Sequence, residues 1–341
     1  MVSNETKKEL EKICNILKYN NLKYSIKAVS KTAFYKKIYI DIENLKSINK
    51  INLIIKTLEK IIDKKINYNF ENNILVLNIQ ESNKNILYFH DFINNNNITS
   101  QNNDIIFLGI DKSTNKPLFK KLSDTKSILI GGTSGSGKSS LLHQIILSYL
   151  LLNNQNYIIL IDPKYTELNF YTPKNLKNRI LAPTAYNYKD ILKNLKIFEN
   201  LIFSRLEKMQ KEKKRFSSEA PVLLVVDEFA QLFTNNQEKK KIIDIISRCA
   251  AIGRASNCYL ILTTQHPTNS NLNNSIRVNL QTRICLKCEN IQQSKNIIET
   301  TEGSKLVYPG ESLIKFDNEI KIKESQQTFI CDNEIMDILK S

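Results

Sequence analysis

The stretch from Gly131 to Ser140 reads GGTSGSGKSS. It contains Gly132-x-x-x-x-Gly137-Lys138-Ser139 in full. The apolar run Ser127–Ile130 precedes it and the apolar segment SLLHQIILSYLLL follows it. Strand, glycine-rich turn and helix in that order form a P-loop, in which backbone N–H groups turn inward as an anion nest and the helix N-terminus adds its positive dipole end. The glycine content supports this reading. The chain holds only 8 glycines, where average usage of about 7% would give roughly 24, and four of them, Gly131, Gly132, Gly135 and Gly137, fall in seven positions. Gly132, Thr133, Ser134, Gly135, Ser136, Gly137, Lys138, Ser139 and Ser140 are therefore the candidate nucleotide-binding residues. Lys138 is the residue to bridge the β- and γ-phosphates of ATP, and the Ser139 hydroxyl is a candidate ligand for Mg²⁺.

The rest of the downstream chain fits a P-loop domain. Apolar runs YIILID (157–162), VLLVVDE (222–228), CYLILTTQ (258–265) and TRICLKC (282–288) alternate with helical segments. Near-continuous apolar strands separated by helices predict a mostly parallel central sheet covered on both faces. The fold class is thus α/β, a RecA-like P-loop NTPase domain. VLLVVDE delivers two acids at a strand end, Asp227 to hold Mg²⁺ through water and Glu228 to polarise an attacking water as general base. Gln265 closes the next apolar strand, where a side-chain amide can sense the γ-phosphate or simply end the strand.

The N-terminal part has a different pattern. A helix over 5–19, strands over 24–30 and 34–42, a helix over 45–62 and short strands near 66–70 and 73–79 predict a small α+β domain. The expected boundaries are 1–90 for that accessory domain, 91–104 for an Asn-rich linker, 105–330 for the ATPase and 331–341 for a C-terminal tail. No internal repeat is visible. With 49 basic against 34 acidic residues, the formal charge is +15. That favours a polyanionic partner such as nucleic acid, although a Lys-rich solvated surface has the same composition. No apolar run reaches the roughly 18 to 20 residues that span a bilayer, and residues 1–20 read as a charged amphipathic helix rather than a signal peptide, so the expected location is cytoplasmic. Cys285 and Cys288 form a C-x-x-C without a second pair or a nearby His. They read as buried thiols, with metal or redox use the lesser alternative.

Several blocks together resemble the FtsK/SpoIIIE family of DNA translocases. They are LGIDKSTNKPLFKKLSDTKSILIGGTSGSGKSS, IDPKYTELNFY (161–171), LLVVDEFAQL and GRASNCYLILTTQHP (253–267), and the similarity spans about residues 105 to 316. The resemblance implies an ATP-hydrolysing hexameric ring that moves double-stranded DNA. It also implies P-loop roles for Gly132, Gly135, Gly137, Lys138 and Ser139, acidic roles for Asp227 and Glu228, a sensor role for Gln265, and an arginine acting in trans on the neighbour's nucleotide. Arg205, in FENLIFSRLEKM, stands where related motors carry an arginine, with Arg254 and Arg283 as rivals. His266, Asn257 and Cys258 depart from the family's usual residues near the sensor.

DNA contact is expected either from Lys208, Lys211, Lys213, Lys214 and Arg215 or from Arg277. The basic run reads equally as a solvated loop. Short size and the lack of targeting modules suggest DNA transfer or packaging by a mobile element or phage, compatible with membrane-bound partner proteins. The alternative is the motor of a type VII-like protein secretion system.

Overall fold

The computed structural model describes residues 4–31, 35–43, 48–71, 74–81, 87–90, 105–152, 155–176, 178–232, 236–268, 272, 274–317 and 319–340. The Asn-rich stretch 91–104 lies outside the described residues. The chain divides into two compact units, Met1–Asn85 with Lys112–Lys116, and Ile86–Asp111 with Pro117–Ser341.

The first unit contains α1 (Asn4–Tyr19), β1 (Tyr24–Lys31), β2 (Tyr35–Ile42), α2 (Ile48–Ile62), β3 (Ile66–Glu71) and β4 (Ile74–Gln80). Its sheet is antiparallel in the order β1-β2-β4-β3. The alternation Ile38, Ile40, Ile42 puts one face of β2 into a core with Leu75, Leu77 and Ile79, and Ile13 and Leu17 of α1 and Ile51, Ile55 and Leu58 of α2 cover it. This is the small α+β domain read from the sequence. Helix periodicity leaves out a charged feature at the margin of that core. Lys36 is buried and pairs with Glu9 and with Glu81 at 3.2 Å, and Lys64 pairs with Glu9 at 2.8 Å. Although burial opposes it, the surrounding lysines hold the Glu81 carboxyl below the usual carboxylate range.

The second unit begins earlier than the expected boundary. The amide of Phe89 donates to Phe329 and that of Phe329 to Leu87, so this segment pairs with the second unit. Its remaining elements are β5 (Ile105–Asp111), β6 (Lys116–Lys121), a one-turn α3 (Leu122–Thr125), β7 (Ile128–Gly131), α4 (Lys138–Leu151), β8 (Tyr157–Ile161), α5 (Tyr188–Lys211), β9 (Val222–Val226), α6 (Asn236–Ile252), β10 (Cys258–Thr264), α7 (Asn274–Asn279), β11 (Thr282–Leu286), α8 (Ile291–Ile298), β12 (Glu311–Lys315), β13 (Lys323–Gln326) and α9 (Asp332–Lys340).

The nine-stranded sheet runs β6-β5-β13-β12-β11-β7-β10-β9-β8. Pairing is parallel from β8 through β9, β10 and β7 to β11, then antiparallel through β12 and β13 to β5. The parallel strands are the near-continuous apolar runs, buried on both faces as that pattern requires. Residues 331–341, expected as a tail, mostly form α9, whose Ile335 is buried.

Removing one partner from the buried charge cluster would leave the others uncompensated, which typically costs about 3 to 5 kcal/mol. Lys36→Ala should therefore destabilise the first unit by that order. Hydrogen exchange of the β2 and β4 amides checks it, with faster exchange expected there than in β9 and β10.

Candidate functional site

Parallel register brings the candidate residues together. Thr264 of β10 pairs with Gly131 of β7, and Leu262 of β10 pairs with Val226 of β9. The carboxyl ends of β7, β10 and β9 therefore lie side by side, carrying the glycine loop, Gln265, and the acids Asp227 and Glu228. Ligands of open parallel sheets bind at such an edge.

The loop is built for an anion. Gly137 has φ +95° and is the N-cap of α4, and a Cβ there would meet the amide nitrogen of Gly310 at 2.8 Å, so only glycine fits. Thr133 N–H donates to the Lys287 carbonyl at 2.9 Å, Ser136 N–H to Thr133 at 3.2 Å, and Gly310 N–H to Ser136 at 2.8 Å. The loop is thus held from behind by the chain after β11 and before β12. The Ser136 hydroxyl is buried without a partner, a donor suited to a phosphate oxygen.

Lys138 and Asp227 are both buried and paired, Nζ to Oδ1, at 2.7 Å. Thr263 joins them. Its hydroxyl donates to Asp227 Oδ1 at 2.5 Å and accepts from Lys138 Nζ at 3.2 Å and from Glu228 N–H at 3.1 Å. Glu228 is fully buried with φ +44°, a left-handed conformation rare outside glycine. That backbone turns its carboxylate toward β10, where it accepts from Gln265 N–H at 3.1 and 3.0 Å and from the Thr264 hydroxyl at 3.2 Å. Lys164 Nζ lies 3.6 Å from the same carboxylate. The hydroxyl of Ser139 and the carboxylate of Asp227 are hard oxygen donors, the set that suits Mg²⁺ beside phosphate oxygens. The donors present fit both ATP and Mg²⁺.

The arginines divide clearly. Arg205 is buried. Its guanidinium donates to the carbonyls of Ser256 and Ala220, each at 2.9 Å, and lies 3.2 Å from Glu219. Where Arg205 is expected to act in trans, its donors here close the starts of β9 and β10 in its own subunit. Arg283 is equally committed, to Glu299 at 2.6 Å and the Arg277 carbonyl at 3.0 Å. Arg254 is exposed, beside a pocket of about 180 Å³ that Lys126, Tyr259 and Gln281 also line. Arg277 donates to the Leu272 carbonyl at 3.1 Å. Within the basic run, Lys208 pairs with Glu219 and Lys214 with Glu212.

Cys285 and Cys288 are buried with their sulfurs 3.4 Å apart. The described residues hold no group of His, Cys, Asp and Glu suited to a metal ion. No described helix is long and apolar enough to cross a membrane. Sequence reading passed over Thr263, Lys164, Lys287 and His143, whose roles depend on cross-strand register and on the loop after β8. Lys164 and Glu167 lie inside the IDPKYTEL block and Thr263 inside GRASNCYLILTTQHP, which marked the segments without marking the residues.

The model of the family described as novel STAND NTPase 1 matches residues 100–297, more than half of the chain. The chain belongs to that family. The resemblance of this NTPase to FtsK-type motors is borne out by curated relatives: it is 28% identical over 263 residues to the DNA translocase FtsK of Staphylococcus aureus and 26% identical over 260 residues to that of Halalkalibacterium halodurans. Each match covers 70% of this chain but 32% of the relative, so the chain spans about a third of the proteins it matches. Among solved structures, the conjugation coupling protein TcpA of pCW3, a monomer with ATPγS, overlays 98% of this chain and 99% of its own at TM-score 0.67 and 16% identity. The type VII secretion ATPase EccC of Thermomonospora curvata overlays 75% of this chain and 34% of its own at TM-score 0.62 and 16% identity. Both share the fold.

Arg205→Ala should leave buried carbonyls unpaired, at about 1 to 3 kcal/mol each. The expected result is a fall in melting temperature of roughly 5 to 10 °C for a unit of this size, read by thermal denaturation. An arginine serving only a neighbour's nucleotide would leave that temperature unchanged.

Proposed function

We propose that this protein is an ATP- and Mg²⁺-dependent motor of the FtsK/SpoIIIE type that translocates double-stranded DNA, working as a ring, with a hexamer as the expected assembly. The observation that carries the reading is the convergence of the glycine loop, Lys138, Asp227 and Glu228 at one sheet edge. Lys138 binds the β- and γ-phosphates, Ser139 and Asp227 hold Mg²⁺, and Glu228 activates water. Gln265, whose backbone N–H donates to Glu228, carries the side-chain amide that would sense the γ-phosphate. Lys138 and Asp227 neutralise one another in their pair. A phosphate bound in the loop would compete for the lysine, and the carboxylate would then be available to hold Mg²⁺.

For the arginine in trans we choose Arg254, on its exposure and its place in the turn between α6 and β10. Such a guanidinium is worth roughly 10³ to 10⁵ in rate. The net charge of +15 supports DNA as the substrate, and contacts to phosphate would be sequence-independent and salt-sensitive. The first unit serves as an accessory domain to the motor. The proposed setting is DNA transfer by a mobile element in the cytoplasm, supported by the overlay of 98% of this chain on a conjugation coupling protein. The fold shared with EccC keeps a protein-secretion motor as the second reading.

Steady-state ATPase with and without linear double-stranded DNA tests the motor. Stimulation by DNA is expected, whereas stimulation by a protein substrate alone would favour the second reading. Lys138→Ala should abolish nucleotide binding, and Glu228→Gln should retain binding while lowering turnover by about 10² to 10⁴.

Mixing tests the arginine. Arg254→Ala subunits combined with Lys138→Ala subunits should recover activity that neither has alone. Absence of recovery, with both variants still assembling, removes Arg254 from the role.

A further inference from the structure

The thiols of Cys285 and Cys288 stand directly behind the phosphate loop. Cys285 lies on β11, where it pairs in parallel register with Gly131, the residue that opens the loop. Leu286 packs so closely on the loop that a Cβ on Gly132 would meet its Cβ at 2.8 Å. The next carbonyl, that of Lys287, accepts from Thr133 twice, from its N–H at 2.9 Å and from its hydroxyl at 3.2 Å. Residues 285–288 therefore form the rear wall of the loop. The peptide that holds Thr133 lies between the two cysteines.

The chain turns sharply at this point, and the turn brings the sulfurs together. Both approach the Leu286 carbonyl oxygen, Cys285 at 3.3 Å and Cys288 at 3.5 Å, and they lie 3.4 Å from each other. Gly303 closes the other side. Its carbonyl accepts from Cys288 N–H at 3.1 Å, and a Cβ on it would collide with the Cys285 sulfur. The described residues offer no third ligand for a metal ion, so the chemistry open to two thiols this close is oxidation to a disulfide. Cys288 is placed to react first: it sits between the exposed residues Lys287 and Glu289, whereas Cys285 is fully buried. With Cys285 as donor, the hydrogen bond between them also holds the Cys288 thiol below its ordinary range, against burial and the charge of Glu289. The thiolate is the form that attacks an oxidant.

We infer that Cys285 and Cys288 are a site of reversible oxidation, where a hydroperoxide closes a disulfide that draws the Lys287 carbonyl away from Thr133 and weakens nucleotide binding. This rests on the P-loop reading above and adds a control to it. In the first step the Cys288 thiolate attacks one peroxide oxygen. An S–O bond forms, the O–O bond breaks, and the second oxygen leaves as hydroxide and takes up a proton to become water. The Cys285 sulfur then attacks the Cys288 sulfenic acid. The S–S bond forms, the S–O bond breaks, and hydroxide leaves with the Cys285 proton as a second water. Two electrons pass from the sulfurs to the peroxide, and a dithiol reverses the change by exchange. The sulfurs must close from 3.4 Å to about 2.05 Å. Cys285 is held between β7 and β12, so the displacement falls on residues 287 and 288, beyond the end of β11.

The test is treatment of the full chain with hydrogen peroxide, read by tryptic mass mapping and by fluorescence of mant-ATP. Trypsin cuts after Arg283 and Lys287, so peptides 284–287 and 288–295 separate unless a disulfide joins them. Peroxide should give the joined peptides and raise the dissociation constant of mant-ATP about 10-fold, and dithiothreitol should reverse both. Cys288→Ser should give no joined peptide, and its own affinity should be the same with and without peroxide. Joined peptides with unchanged affinity overturn the inference, as does their absence under conditions that oxidise the exposed Cys331. A 10-fold loss that persists in Cys288→Ser also overturns it, since another cysteine would then be responsible. If the reduced wild-type chain bound mant-ATP no better than Lys138→Ala does, the P-loop reading itself would fail, and the peptide map would still report the oxidation separately.

Discussion

The buried pair of Lys138 and Asp227 is the constraint around which the second unit is arranged. Neither charge is tolerable in a low-dielectric interior alone, so the helix that begins at Lys138 and the strand that ends before Asp227 must stay in register. Thr263 enforces that register from the strand between them, with one hydroxyl bonded to Lys138, Asp227 and the Glu228 amide. The same hydroxyl fixes the start of the left-handed residue Glu228. The general-base candidate is therefore aimed by a threonine whose position is itself set by parallel pairing with β7 and β9.

This explains what could be read from the sequence and what could not. The P-loop was legible because its requirement is local: glycines where the backbone bends, then a lysine and a serine on the first helical turn. The strands were legible because burial on both faces demands continuous apolar runs. Thr263 was not, since a threonine inside CYLILTT looks like any β-branched strand residue until its neighbours across the sheet are known. The contacts of Arg205 were hidden for a related reason. Its position in the helix before β9 matches the family, but the loops entering β9 and β10 leave the Ser256 and Ala220 carbonyls without strand partners, and the guanidinium satisfies them.

The IDPKYTEL block shows a middle case. The resemblance marked it as a unit without saying what each residue does. In the fold its parts separate: Asp162 closes the turn, Leu168 anchors it, and Glu167 is presented to α4. His143 could not have been singled out, because in SLLHQIILSYLLL it reads as one polar residue on an otherwise apolar helix. Only the approach of Tyr171 from the far side of the turn gives its ring two partners.

The antiparallel half of the sheet also bears on the site, through backbone rather than side chains. The Gly310 amide donates to the Ser136 carbonyl, and the Gln327 amide donates in turn to Gly310 at 2.7 Å. Gly137 and Gly310 approach so closely that a Cβ on either would collide with its neighbours. The segment between β11 and β12 is thereby fastened to the phosphate loop, and β13 is fastened to that segment. A phosphate that shifts the loop must move these strands with it, because interiors packed this closely transmit displacement rather than absorb it. The few glycines outside the P-loop thus include the one that lets the antiparallel strands reach it. Glycine is thus found where the phosphate loop and the segment behind it need close backbone approach.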